Sequence, residues 1–123
     1  MDDCYNANTV SMKAAINVLD MGIGRKVAIL GDMGELGENG PALHRAVGEY
    51  AAEKGIDLVC AVGELSKEIV AGTEGSSTKT MWFATTEECA AQVKVFILPG
   101  DNVLVKASHS MHLEKVVDVL AAM

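Results

Sequence analysis

Lys26-Val27-Ala28-Ile29-Leu30, followed by Gly31-Asp32-Met33-Gly34-Glu35-Leu36-Gly37-Glu38-Asn39-Gly40-Pro41, is the stretch whose reading decides the fold. Its first part is apolar beyond the lysine, carries β-branched residues and lies between glycines. That pattern predicts a strand buried on both faces. The second part holds four glycines and three acids, far more than a plain connection needs. It reads as a ligand loop at the carboxyl end of the strand, with a mobile surface loop as the plainer alternative. Pro41 then opens a helix, as proline does in a first turn. Leu43, Ala46, Val47, Tyr50 and Ala51 follow the i, i+3, i+4, i+7, i+8 pattern, and Lys54-Gly55 closes it. His44 falls just off this stripe, near the loop, and reads as a solvated helix residue.

The same unit recurs outward in both directions. Upstream, residues 9–20 read as a helix with Val10, Ala14, Ala15, Val18 and Leu19 as its apolar stripe, ended by Gly22 and Gly24. Downstream come a buried strand over residues 57–62, a short helix over 64–71, a polar turn region and a strand over 80–84. Thr85 and Thr86 can cap a helix to about residue 97, with Glu87 and Glu88 in the first turn where the helix dipole favours them. A strand over residues 102–106 and a helix over about 111–122 complete the chain, the latter with Leu113, Val116, Val117, Leu120 and Ala121 as its stripe. Strict alternation of strand and helix demands parallel strands with right-handed crossovers. The expected fold is therefore α/β, a Rossmann-like doubly wound, mostly parallel sheet with helices on both faces. The 123 residues suit one domain.

Composition narrows the partners. Ten basic and 17 acidic residues leave a formal charge of −7, a poor match for nucleic acid or an anionic membrane. No signal peptide or membrane-spanning run is visible. The three cysteines, Cys4, Cys60 and Cys89, are widely spaced and form no CxxC pair. Cys60 and Cys89 read as small core residues, and the expected location is the cytoplasm.

In doubly wound sheets ligands gather at the carboxyl edge of the strands. Three polar clusters are expected there: Asp3 to Asn8, Gly31 to Asn39, and Lys106 to Ser110. Asp3 has acceptors for a ribose diol, Tyr5 offers a flat face, and Asn6 and Asn8 each carry a donor and an acceptor end. Asp and Asn also favour turns and helix starts without any ligand. Lys106 ends a buried strand at this edge, where an ammonium is well placed to hold a carboxylate or phosphate. No GxGxxG, P-loop or GxSxG elbow occurs. His109 and His112 lack a third metal ligand nearby, and Asp32, Glu35 and Glu38 read as solvated loop acids rather than an ion site. Met1 sits directly before the first cluster, with no residues for a strand to deliver it, so the chain is expected to be a domain excised from a longer protein.

Three segments together resemble the Mur ligase family. Asp3-Cys4-Tyr5-Asn6-Ala7-Asn8 with Ser11-Met12 and Ala14-Ala15 resembles the D-x-Y-N-A-N-x-x-S-M-x-A-A opening of that family's C-terminal domain. Leu30-Gly31-Asp32-Met33-Gly34-Glu35-Leu36-Gly37 resembles its L-G-D-M-x-E-L-G signature, continued by His44 and Val47-Gly48. Val105-Lys106-Ala107-Ser108-His109 resembles its V-K-G-S-R ending. More narrowly, the likeness is to members that join D-alanyl-D-alanine to UDP-N-acetylmuramoyl-tripeptide. The resemblance implies a three-domain ATP-dependent ligase of peptidoglycan precursor synthesis, with the UDP-sugar domain and a central ATPase domain, holding the P-loop and Mg²⁺, outside this chain. It implies nucleotide contacts from Asp3, Tyr5, Asn6 and Asn8. It implies contacts to the incoming dipeptide and the acyl centre from Asp32, Met33, Glu35, Leu36, Lys106, Ser108 and His109. No catalytic residue is expected in this domain alone, which would be inactive when isolated. Ala107 stands where the family has Gly, Thr9 where Pro is common, and His109 where the family has Arg. A histidine would hold a carboxylate fully only when protonated. The alternatives are a sister muramyl-peptide ligase, a folylpolyglutamate synthase domain, or a standalone nucleotide-binding α/β module.

Overall fold

The computed structural model describes residues 8–34, 37–108 and 111–122. Strand and helix alternate as expected: α1 (Thr9–Asp20), β1 (Lys26–Gly31), α2 (Gly40–Glu53), β2 (Leu58–Val62), α3 (Lys67–Gly72), β3 (Lys79–Phe83), α4 (Thr86–Phe96), β4 (Asn102–Lys106) and α5 (Glu114–Ala121). A 3₁₀ turn, Gly37–Asn39, leads into α2. The four strands form one sheet in the order β3-β2-β1-β4, and all three pairings are parallel. This is the Rossmann-like doubly wound sheet that the alternation dictates.

The period-2 alternation of β1 explains the layering. Ala28 and Leu30 face one core with Met12, Ile16, Val47, Ala51 and Ile69, contributed by α1, α2 and α3. Val27 and Ile29 face the other with Cys89 and Val93 from α4, Val116 from α5 and Leu113 just before it. β1 and β2 are buried on both faces, whereas the outer strands β3 and β4 are only half-buried. Gly48 lets α2 and α3 cross at backbone contact: a Cβ there would lie 1.9 Å from the Ile69 carbonyl oxygen.

Cys60 and Cys89 are core residues, fully buried, with sulfurs 3.8 Å apart. The contact with Cys89, and then burial, push the Cys60 thiol up. Cys4 lies outside the described residues.

Three expectations about helices are corrected. First, α1 buries Met12, Ala15, Ile16 and Leu19, while Val10 and Val18 are 80% and 64% exposed. The helix is apolar on two adjacent stripes, so periodicity alone does not fix which one faces the sheet. Second, α3 begins at Lys67 rather than at residue 64, because its start is set by a group from another loop, described below. Third, α5 begins at Glu114, since His112 takes a left-handed φ of 55° that interrupts the helix, and Val117 is 41% exposed.

Candidate functional site at the carboxyl edge

In the order β3-β2-β1-β4, the chain leaves β1 toward β2 on one face and returns to β4 on the other. The strand order reverses between β1 and β4, and the crevice beyond their carboxyl ends is where such sheets bind ligands. The two segments that meet there are the loop after Gly31 and the end of β4 from Lys106 to Ser108. They are joined directly: the Ser108 N–H donates to the Asp32 carbonyl at 3.0 Å. They also pack closely, since a Cβ on Gly31 would lie 2.7 Å from that of Ala107. The methyl group that this chain carries at position 107 is accommodated because Gly31 has none.

Asp32 is half-buried, and its carboxylate reaches sideways to the loop after β2. It accepts from Ser66 N–H at 2.8 Å, Ser66 O–H at 2.7 Å and Leu65 N–H at 3.3 Å. These donors open α3, whose own N-cap residue, Ser66, makes no side-chain cap bond. The cap comes from a residue more than thirty positions earlier. Gly63, at φ 109°, leaves room for it: a Cβ there would sit 2.6 Å from the carboxylate. Asp32 therefore ties its own loop to the loop after β2 through its side chain and to the end of β4 through its backbone.

Met33 turns the opposite way from a substrate contact. Its side chain is 1% exposed and belongs to the core on the α1–α2–α3 face. Only its backbone faces the loop. The Met33 N–H donates to Nε2 of His44 at 2.9 Å, and Nδ1 of His44 lies 2.6 Å from the Gly40 carbonyl oxygen. His44 is fully buried, not solvated as its position off the helix stripe predicts. A histidine four residues after a glycine that ends a polar loop is the sequence signal for it, because an i−4 carbonyl lies within reach of the ring.

Lys106 closes β4 beside Leu30 and is 3% exposed, while Ser108 is half-buried. Among the described residues no buried side-chain nitrogen or oxygen lacks a hydrogen-bond partner. Asn8 is the N-cap of α1 in a reciprocal capping box: its Oδ1 accepts from Ser11 N–H at 2.9 Å, and its own N–H donates to Ser11 Oγ at 2.9 Å. Of the residues expected at the site, Asp32, Lys106 and Ser108 are brought together with the Met33 backbone. Asp3, Tyr5, Asn6, Glu35, Leu36 and His109 lie outside the described residues. Among the described residues no three His, Cys, Asp or Glu side chains gather as metal ligands, and no helix is long and apolar enough to cross a membrane. A cleft of about 760 Å³ runs along the outer edge of β4 between α1 and α5, with Lys106 among its lining residues.

Comparison with known proteins converges on one family. A family model for the Mur ligase glutamate ligase domain matches residues 1–109. The UDP-N-acetylmuramoyl-tripeptide--D-alanyl-D-alanine ligase of Escherichia coli is 39% identical over 123 residues, and the ligase of that name from Bacillus subtilis is 34% identical over 121. These alignments cover 98% and 95% of this chain but only 26% of each relative. A crystal structure of MurF from Acinetobacter baumannii superimposes with a TM-score of 0.87 at 34% identity, covering 99% of this chain and 27% of that one. MurF from Thermotoga maritima, solved in complex with ADP, gives 0.80 at 28% identity with 99% and 27% covered.

Proposed function

The chain belongs to the Mur ligase family through its glutamate ligase domain, and from that premise we propose that it is the C-terminal domain of an ATP-dependent ligase joining D-alanyl-D-alanine to UDP-N-acetylmuramoyl-tripeptide. One observation carries the site assignment. The loop after β1 and the end of β4, the two signature segments, are hydrogen-bonded together at the reversal of strand order. The ligases named above supply the substrate class, and the ADP complex of the Thermotoga protein supports nucleotide use.

In this reading ATP phosphorylates the terminal carboxylate of the tripeptide, releasing ADP and leaving an acyl phosphate. The amine of D-alanyl-D-alanine attacks the acyl carbon, and inorganic phosphate leaves as the amide forms. The central domain of the full enzyme holds the P-loop and Mg²⁺. This domain contributes Asp3, Tyr5, Asn6 and Asn8 toward the nucleotide, and Asn8 also caps α1. Lys106 and Ser108, with the Asp32–Leu36 loop and His109, face the dipeptide and the acyl centre. A cation there would offset the dipeptide carboxylate or charge building on the intermediate. Closure of the domain would orient the reactants and keep water from the acyl phosphate. The enzyme works in the cytoplasm.

The test is an assay of the intact polypeptide with ATP, UDP-N-acetylmuramoyl-tripeptide and D-alanyl-D-alanine. The expected result is ADP release that depends on both other substrates, and a product with the mass of the amide. Ligation of a single amino acid instead would move the chain to a sister ligase. Asp3→Ala is expected to raise KM for ATP, and unchanged ATP kinetics would remove Asp3 from the nucleotide site.

A further inference from the structure

We propose that His44 is a positioning residue for the acceptor side of the reaction: its imidazole is the crossbar that ties Met33 to Gly40, the two ends of the loop after β1. The proposal rests on the reading above, in which that loop faces the incoming dipeptide.

The argument begins with the backbone. Met33 is buried, so its N–H must find an acceptor inside the protein. The acceptor is His44 Nε2 at 2.9 Å. On the other side of the ring, Nδ1 lies 2.6 Å from the carbonyl of Gly40, one helical turn before His44. A backbone N–H only donates and a carbonyl only accepts, so both contacts are hydrogen bonds only when Nδ1 carries the proton and Nε2 a lone pair. The ring direction agrees with helix geometry, since side chains in a helix lean toward its N-terminus.

The two groups that the ring ties together bracket the loop. Before it, Asp32 is clamped by its carboxylate to Leu65 and Ser66 and by its carbonyl to Ser108. After it, Gly40 is the first residue of α2. His44 ties these fixed points to each other. The tie needs a group that both accepts and donates across the ring's width, which no aliphatic core residue supplies. A residue placed only to fill the core would have no reason to bind the two ends of a signature loop.

Two substitutions separate the two bonds. In His44→Asn, the shorter amide can still donate to Gly40 but leaves the Met33 N–H without its acceptor. In His44→Gln, the longer amide places an oxygen near the Nε2 position and can accept from Met33. In the intact ligase, His44→Asn is expected to raise KM for D-alanyl-D-alanine about tenfold with KM for ATP within about twofold, because a small displacement of positioning groups costs this much or more. His44→Gln is expected to recover most of that loss. Equal rises in both KM values, or no rise in either, would overturn the proposal. So would a Gln variant as impaired as Asn.

A second measurement does not depend on activity. Imidazole ¹⁵N chemical shifts of the wild-type ligase, assigned by the signal lost in His44→Gln, should show a protonated Nδ1 and an unprotonated Nε2. The opposite tautomer or a doubly protonated ring would refute the crossbar even if the ligase reading stands. Absence of ligation in the wild-type enzyme with the expected tautomer would instead remove the ligase reading and with it the acceptor role.

Discussion

The two ends of the sheet use charge differently. At the amino edge, charges neutralise one another. Arg25 makes a two-pronged ion pair with Asp101, through Nε at 3.0 Å and Nη2 at 2.7 Å, and also donates to the Phe96 carbonyl. Lys26 pairs with Asp20 at 3.4 Å, and Asp57 accepts from the Lys26 N–H at 2.8 Å. At the carboxyl edge the contacts of Asp32 and His44 are mainly to loop backbone: Asp32 grips the Leu65 and Ser66 amides, and His44 bridges Met33 and Gly40. An aspartate is therefore a stability device at one end and a loop-shaping device at the other. Polar groups that shape loops leave other loop atoms to meet a ligand, whereas charges paired with each other do not.

The largest effect that separates the two edges is expected at Asp32. Asp32→Ala removes the cap of α3 and loosens the junction with the β4 end. The intact ligase should lose about 100-fold in kcat/KM, and urea melts should show a loss of about 1–3 kcal/mol from the orphaned donors. Activity that survives with a lowered melting temperature would mean that Asp32 is structural alone.

Arg25→Ala is the mirror case. It should cost about 1–2 kcal/mol, as expected for a charge-assisted two-pronged pair with a partly exposed partner, with kcat/KM unchanged. A fall in activity at full stability would blur the distinction between the edges.

The pH dependence sharpens it further. The Arg25 guanidinium, assisted by the Leu98 N–H, holds the Asp101 carboxyl below the usual carboxylate range. A group whose native pKa is lowered stabilises fully above its unfolded value and loses that contribution as pH falls through the native one. Unfolding free energy should therefore fall on acidification below about pH 4. Asp101→Asn should be less stable at neutral pH and show a shallower acid limb. An unchanged acid limb would remove Asp101 from this role.

The smallest effect tests whether the edges differ by location or by what the charge binds. Lys67 lies at the carboxyl edge but is exposed, over the Trp82 ring at 4.7 Å and 3.1 Å from Glu64. It holds no backbone. Lys67→Ala should change stability by about 0.5 kcal/mol or less and leave ligation intact. A large loss would show that any charge at this edge matters.

The strands and helices were legible because their signals are local. Alternation of apolar runs with glycine-rich turns requires a parallel sheet, and Thr85 caps α4 from its own sequence neighbourhood, accepting from Glu88 N–H at 3.2 Å. What escaped depends on residues distant in the chain. The cap of α3 comes from Asp32, so no local pattern marks its start. The facing side of α1 depends on what covers it, because Val18 and Leu19 are both apolar. At the site, the segments around Asp32 and Lys106 were legible as polar ends of buried strands. The side-chain placements within them were not: Met33 is a core side chain, and the burial of His44 depends on its bond to the distant Met33 N–H, which helix periodicity does not show.

The measurement that tests the central claim most directly is the steady-state kinetics of Lys106→Ala in the intact ligase. If the end of β4 faces the acceptor, KM for D-alanyl-D-alanine should rise well beyond KM for ATP, by about tenfold or more for the loss of one charge-assisted contact. A rise confined to KM for ATP, with the dipeptide unaffected, would contradict the account and place this edge against the nucleotide.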